Sequence, residues 1–281
     1  MLRSLQDLES CAIHASDGDI GRVKDFFFDD RAWVIRYLVI ETGSWLSSRK
    51  VLISPMAIRD ADWDGGRLSV SVTKEQVRNS PDVDTEQPVS RQHEMRYLGY
   101  YGYPYYWGGS GLWGTGLFPS MMMTGIGGPT TMDQDAALES RRNQLRREAT
   151  QHQDDDPHLR SAKAVMDYHI HAKDGEIVHV QGILLDERTW AVRYLVVNTR
   201  NWWMGHQVLV APQWIESVSY IDATVAVNLT RKSVQEAPLF DSTATLNREQ
   251  EQQIYGHYGR TGYWTNEMLS EPDKHSAIDI D

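Results

Sequence analysis

The sequence predicts an all-β protein made of two small antiparallel β-barrels in tandem. The first observation is an internal repeat: shifted by 157 positions, residues 2–107 align without a gap with residues 159–264, and roughly a third of the aligned pairs are identical. The second is that each copy consists of short apolar stretches separated by turn residues, with no long helical pattern. A gapless repeat of this length indicates two copies of one structural unit.

Each copy opens with a predicted hairpin. Asp17–Gly18 and Asp174–Gly175 lie between apolar stretches, and Asp-Gly favours a tight turn because glycine accepts the positive φ that the turn requires. β-Branched and alternating apolar residues, typical of strands, mark the remaining elements of both copies: 20–29, 33–40, 50–54 and 67–72, and 177–186, 190–197, 207–211 and 224–229. About six short strands in each copy fit a small closed barrel.

The strand at 33–40 and its counterpart in copy two are apolar on both faces, which predicts that both faces are covered. One face would line a barrel, and the other would meet the second copy. We therefore expect an internal pseudo-dimer whose interface includes Val34, Arg36, Leu38, Arg193 and Leu195. Each arginine would pair with an acidic neighbour or, alternatively, contact an anion or a partner.

These elements resemble the PRC-barrel domain. The residues that carry the resemblance in copy one are 17–21, Val23, 35–42, Trp45 and 50–55, and those in copy two are 174–177, 192–199, Trp202 and 208–212. The family is known from the cytoplasmic part of the photosynthetic reaction-centre H chain, from the ribosome maturation factor and from small bacterial proteins. The resemblance implies a non-enzymatic β-barrel that serves as a docking surface for an unknown protein partner.

The repeat continues beyond the barrels as Arg-x-x-Glu-x(4)-Gly-x-Tyr-Gly-x(3)-Tyr-Trp. Its first part fits a short helix with an i,i+3 ion pair, and its second part is a glycine-hinged aromatic hook. The hooks would pack on a barrel or capture a partner. Together with tryptophans in the loop before the fourth strand, they supply the candidate partner contacts: Trp45, Trp202, Trp203, Tyr101, Trp107, Tyr258 and Trp264.

The predicted organisation has six parts. They are PRC-barrel copy one (1–81), a helix with an aromatic hook (82–107), a Gly/Met-rich linker and polar helix (108–158), PRC-barrel copy two (159–238), a second helix with a hook (239–264) and a disordered tail (265–281). The glycine excess of 108–126 favours a flexible linker, although its Trp, Phe and Met residues would also suit a membrane surface or a partner groove.

Charge and composition exclude several classes of function. The net charge of −11 lies mainly in the connecting and C-terminal segments, so no positive field for nucleic acid is expected. The single cysteine, Cys11, fits a reducing cytoplasm, and neither a signal peptide nor a membrane-spanning segment is predicted. A ribosome- or RNA-processing-associated factor and a peripheral component of a membrane complex remain as alternatives.

No catalytic motif accompanies the repeat, so no enzyme activity and no cofactor are predicted. His169 and His171 share a strand face, and His179 would lie across the hairpin. Three imidazoles could bind a metal, but only His171 has a histidine counterpart in copy one, at His14. Surface or packing roles are therefore the preferred interpretation, and no metal site is predicted.

Overall fold

The computed structural model describes residues 1–81, 89–107, 109–123, 159–198 and 206–268. The protein is mostly β and contains two seven-stranded sheets, as the sequence predicted. The strands of the first half are β1 (Leu2–Ser4), β2 (Ala12–Ala15), β3 (Gly18–Asp29), β4 (Val34–Thr42), β5 (Lys50–Ile53), β6 (Ile58–Asp62) and β7 (Arg67–Val70). Those of the second half are β8 (Leu159–Ser161), β9 (His169–Ala172), β10 (Gly175–Asp186), β11 (Val192–Asn198), β12 (Gln207–Val210), β13 (Ile215–Ser219) and β14 (Thr224–Val227).

The helices are short and lie beside the sheets. They are α1 (Leu5–Leu8), α2 (Lys74–Arg78), α3 (Arg91–Tyr101), α4 (Ala162–Val165), α5 (Arg231–Gln235), α6 (Arg248–His257) and α7 (Tyr263–Met268). Short 3-10 turns occupy Ser44–Leu46, Pro55–Ala57, Pro119–Met123 and Pro212–Trp214. In the described part of the chain, no helix combines the length and the apolar character needed to cross a membrane.

The two sheets have the same strand order, β5-β4-β3-β2-β7-β6 and β12-β11-β10-β9-β14-β13. Two features differ from the prediction. Each sheet contains one parallel pair, β2 with β7 and β9 with β14, and the sheets do not close into complete barrels. The long strand β3 has register shifts at Val23/Asp25 and Phe27/Phe28, and such bulges let one strand bend between two sets of neighbours.

The two halves exchange their first strands. β1 pairs with β10 in the sheet of the second half, and β8 pairs with β3 in the sheet of the first half. The two registers are equivalent after a shift of 157 residues, because Leu2 lies opposite Asp186 and Leu159 lies opposite Asp29. Each sheet therefore has one strand supplied by the other copy, so the two copies form one body.

A pseudo-twofold axis passes between Val34 and Ala191, which form an antiparallel bridge. The Ile35 N–H donates to the Trp190 carbonyl at 2.8 Å, and the Val192 N–H donates to the Trp33 carbonyl at 2.7 Å. The predicted strands begin too early, at Trp33 and Trp190, whereas β4 begins at Val34 and β11 at Val192. The tryptophans precede their strands because they adopt positive φ angles of 54° and 60°, which is unusual for bulky residues.

The segment 109–123 corrects the expectation of a flexible linker for these residues. Gly111 bridges Gly114 and Trp113 bridges Gly116, and the Trp113 side chain is fully buried. At the C-terminus, α7 extends through Met268, so the first residues of the predicted disordered tail are helical. Three predicted features lie outside the described residues. They are the rest of that tail, the tryptophans Trp202 and Trp203, and the part of the predicted linker and polar helix that spans 124–158.

Candidate functional site

A buried carboxylate joins α3 to the first sheet. Glu94 is fully buried, and Arg91, one turn earlier on the helix, forms an ion pair with it at 3.0 Å (Nη1–Oε2). The hydroxyl of Tyr37, on β4, donates to Glu94 Oε1 at 3.4 Å, and the hydroxyl of Tyr106, in the hook, donates to the same oxygen. The Arg36 guanidinium lies 3.9 Å from the centre of the Tyr106 ring.

The second half repeats this cluster at positions 157 residues later. Glu251 is buried and forms an ion pair with Arg248 at 2.9 Å (Nη1–Oε2). The hydroxyls of Tyr194 and Tyr263 both donate to Glu251 Oε1 at 2.9 Å. Arg193 lies 3.9 Å from the Tyr263 ring. Each hook is therefore tied to its own sheet through a carboxylate that the helix supplies.

Burial dominates the acid–base properties of the first cluster. Burial raises the pKa of Glu94 to about 7, against the opposing effects of the Arg91 charge and the Tyr106 hydrogen bond. Burial, followed by the nearby Glu94 charge, raises the pKa of Tyr37 and of Tyr106 well above the usual value for tyrosine. Every one of these groups is bonded inside the fold, so the cluster acts as a polar cross-link between elements.

The raised pKa of Glu94 predicts a pH-dependent contribution to stability. Its pKa in the folded state is raised above the ordinary value for a glutamate side chain, so between these two values the folded state holds a proton that the unfolded state releases. Stability should therefore fall between about pH 4.5 and pH 7, by on the order of 3 kcal/mol for this group.

We expect Glu94→Gln to flatten this part of the pH profile, because the amide does not titrate. Urea denaturation of the native protein and the variant between pH 4.5 and pH 8 gives the two pH profiles of stability. The difference between them cancels the contributions of the titrating groups that both proteins share. Parallel profiles would contradict the assignment.

Next to the pseudo-twofold axis lies a cleft of about 410 Å³ formed by both copies. Its lining includes Asp30, Arg31, Ala32, Arg193, Gln213 and Ser217. Asp30 is fixed at one side, because it accepts hydrogen bonds from the Tyr220 hydroxyl at 2.7 Å and from Arg160 Nε at 3.1 Å. Sequence reasoning missed this cleft because it forms only when the two copies meet.

The predicted partner-contact residues that lie within the described ranges pack against their own chain. Trp45 is half-buried and donates from Nε1 to the Ile20 carbonyl at 2.6 Å. Trp107 stacks on Tyr105 with ring centres 4.7 Å apart, and Arg91 lies 4.0 Å from the Trp107 ring.

The other described contacts, Tyr101, Tyr258 and Trp264, are also partly covered. Tyr101 stacks on Tyr103 at 5.5 Å, Tyr258 lies 4.6 Å from the Trp214 ring, and Trp264 lies 4.4 Å from the Arg248 guanidinium. The structure therefore places the described aromatic rings in internal contacts. A partner contact through their exposed parts stays a prediction.

Among the predicted interface residues, Val34 lies at the bridge between the copies. Arg36 Nη2 lies 3.5 Å from Asp29 Oδ2, and Arg193 Nη2 lies 3.3 Å from Asp186 Oδ2. Asp29 lies on β3 and Asp186 lies on β10, and these are the strands that pair with the exchanged strands β8 and β1. Leu38 and Leu195 are fully buried and lie opposite residues of their own sheets.

His169, His171 and His179 do not form a cluster of metal ligands. Nδ1 of His169 lies 2.6 Å from Glu176 Oε1, and His179 lies opposite His169 in the strand register. The described ranges contain no group of three or more His, Cys, Asp or Glu side chains arranged to hold a metal ion.

The described part of the chain thus forms two similar open sheets with short helices, joined by exchanged strands. In the comparison with known families, the PRC-barrel domain matches residues 3–77, which lie in the first half. An uncharacterized protein of Deinococcus radiodurans is 31% identical over 90 residues, covering 32% of this chain and 32% of that protein. The chain thus aligns with about a third of the length of this curated relative.

Proposed function

We propose that this chain is a non-enzymatic tandem PRC-barrel protein that acts as a protein–protein docking or assembly module. The PRC-barrel match covers the first half, and the second half has the same strand order. The observation that carries the proposal is the cleft at the junction of the two copies, because ligand sites in proteins favour concave junctions.

The polar interior supports a structural rather than a catalytic role. The carboxylates of Glu94 and Glu251 are held by arginine and tyrosine partners inside each half. A general acid or base must reach a substrate proton, and these groups are directed at one another instead. Docking through the surface of the joined copies is the function that this arrangement supports best.

The test is whether the protein, at its native concentration in its source cells, is part of a complex. We expect a tagged chain to sediment as a complex of fixed stoichiometry that untagged protein displaces. Nuclease treatment and lipid flotation serve as controls, because loss of the complex with nuclease would indicate an RNA-associated factor and flotation would indicate a membrane component. A chain that sediments alone would contradict the docking proposal.

A further inference from the structure

Three consecutive methionines lie on a turn that follows the buried tryptophan of segment 109–123. This 3-10 turn, Pro119–Met123, packs on the turn Pro55–Ala57. Met121 is 50% exposed, and Met122 and Met123 are half-buried. Thioethers with access to solvent are open to oxidation, so the run places three oxidisable sulfur atoms beside a buried structural element.

The Met122 thioether packs on the backbone of the loop that holds the tryptophan. A Cβ atom built on Gly114 would lie 3.3 Å from Cε and 3.5 Å from Sδ of Met122, so the sulfur lies against the glycine with little spare room. Gly114 also has a φ of 60°, which glycine adopts without strain. The fit between the two residues therefore depends on a compact, apolar side chain at Met122.

The covered loop, residues 109–116, holds Trp113 between the two copies. The Trp113 N–H donates to the Gly116 carbonyl at 2.8 Å, and the Gly114 N–H donates to the Tyr106 carbonyl at 2.7 Å. The Trp113 side chain is fully buried, and its Nε1–H donates to the Thr189 carbonyl at 2.7 Å. A displacement of the loop backbone would therefore disturb a contact between the halves.

The turn directs its three thioethers to different surroundings. Successive side chains of a 3-10 turn are about 120° apart. Met122 lies against Gly114, whereas Met121 lies beside Gly116, where a Cβ atom would be 3.6 Å from the Met121 sulfur. This arrangement favours chemistry at individual sulfur atoms over a shared soft metal ion, which would need converging thioether ligands.

We propose that Met122 is a reversible oxidation site that controls how firmly Trp113 is held. The oxidant is hydrogen peroxide: the thioether sulfur loses two electrons and takes one oxygen atom, and the other oxygen leaves as water. The sulfoxide is polar and larger than the thioether, so it no longer fits against Gly114 in a close-packed site. A dithiol-dependent methionine sulfoxide reductase restores the thioether, with a disulfide and water as the other products.

Hydrogen exchange of the purified full chain before and after peroxide treatment tests the proposal, with peptide mass spectrometry to locate the added oxygen. We expect Met122 to gain one oxygen atom and the amides of Trp113 and Gly114 to exchange at least ~10-fold faster, as in a locally opened segment. Treatment with the reductase should reverse both changes. Met122→Leu conserves the apolar volume without the sulfur, so its amides should not respond to peroxide.

Two further variants complete the test. Met166→Leu is the matched control, because Met166 is also half-buried but follows α4, outside segment 109–123. Its response to peroxide should equal that of the unaltered protein. Met122→Gln introduces a polar oxygen without oxidation, so it should open the loop in the absence of peroxide.

Three outcomes would overturn the proposal. The first is a Met122 that stays unoxidised at a peroxide dose that fully oxidises Met121. The second is a Met122 sulfoxide with unchanged exchange at Trp113. The third is faster exchange that persists in Met122→Leu, which would assign the effect to another methionine. Because the test uses the purified protein alone, its result is independent of the proposed docking function.

Discussion

Replacing Trp113 with alanine should lower the free energy of unfolding by about 3–5 kcal/mol, the range for truncating a fully buried aromatic residue. The side chain has no exposed surface, so its removal leaves a cavity lined by Arg36 and Tyr106. The hydrogen bond from Nε1 to the Thr189 carbonyl joins the segment to the second half, so the variant also loses a contact between the copies. Urea denaturation monitored by circular dichroism measures the change.

Trp107→Ala provides the comparison, because Trp107 is only half-buried and its loss should cost less. Trp113→Phe should fall between the two, since it keeps most of the ring but removes the indole donor. A loss below about 1 kcal/mol for Trp113→Ala, the size expected for a surface substitution, would show that segment 109–123 merely lies on the sheet.

Separating the two halves should have the other large effect. We expect a fragment of residues 1–123 to be unable to fold as a monomer, because it lacks β8, which pairs with β3, and the partner of the Val34 bridge. The exchanged strands have the same sequence, Leu-Arg-Ser, at 2–4 and 159–161. The fragment should therefore form a homodimer in which each copy supplies its first strand to the other.

Native mass spectrometry and sedimentation velocity can distinguish these states. Mixing the fragment with residues 159–281 should produce a 1:1 heterodimer that unfolds in one transition. Removing residues 1–4 from the first fragment should abolish its dimer, because β1 is then missing. A stable, cooperatively unfolding monomer of residues 1–123 would show that strand exchange is not required for folding.

Much of the fold could be predicted from the repeat and the strand pattern. The Asp-Gly turns at 17–18 and 174–175 are where the hairpins form, and the strong apolar strand became β4 and β11 with small shifts at their starts. The parallel pairs could not be predicted in this way, because strand direction depends on which elements meet in space. The hydrophobic pattern gives the faces of a strand but not its neighbour.

The strand exchange escaped prediction because β1 and β8 have only three residues each, too few for a periodic pattern. The positive φ of Trp33 and Trp190 also contradicts the strand propensity of tryptophan. Such backbone conformations cost about 1–3 kcal/mol each and persist where surrounding structure fixes them. Here each carbonyl accepts a bond from the other copy, an interaction that no local sequence signal reports.

The candidate site was predicted only in part. The Arg-x-x-Glu spacing correctly indicated ion pairs between Arg91 and Glu94 and between Arg248 and Glu251. It did not show that the glutamates are buried or that hook tyrosines bind them, because exposed helical pairs have the same spacing. The cleft was missed altogether, since its lining comes from segments of both copies that are distant in sequence.

Joining the copies in one polypeptide allows the two halves of this protein to differ from each other. In a homodimer every substitution appears twice, so equivalent surfaces of the two copies always match. Here the halves vary independently: Trp113 is buried in the first half, whereas the position 157 residues later is Ser270. A partner that recognises a surface found in one half alone would attach once per chain and would not bridge two identical partners.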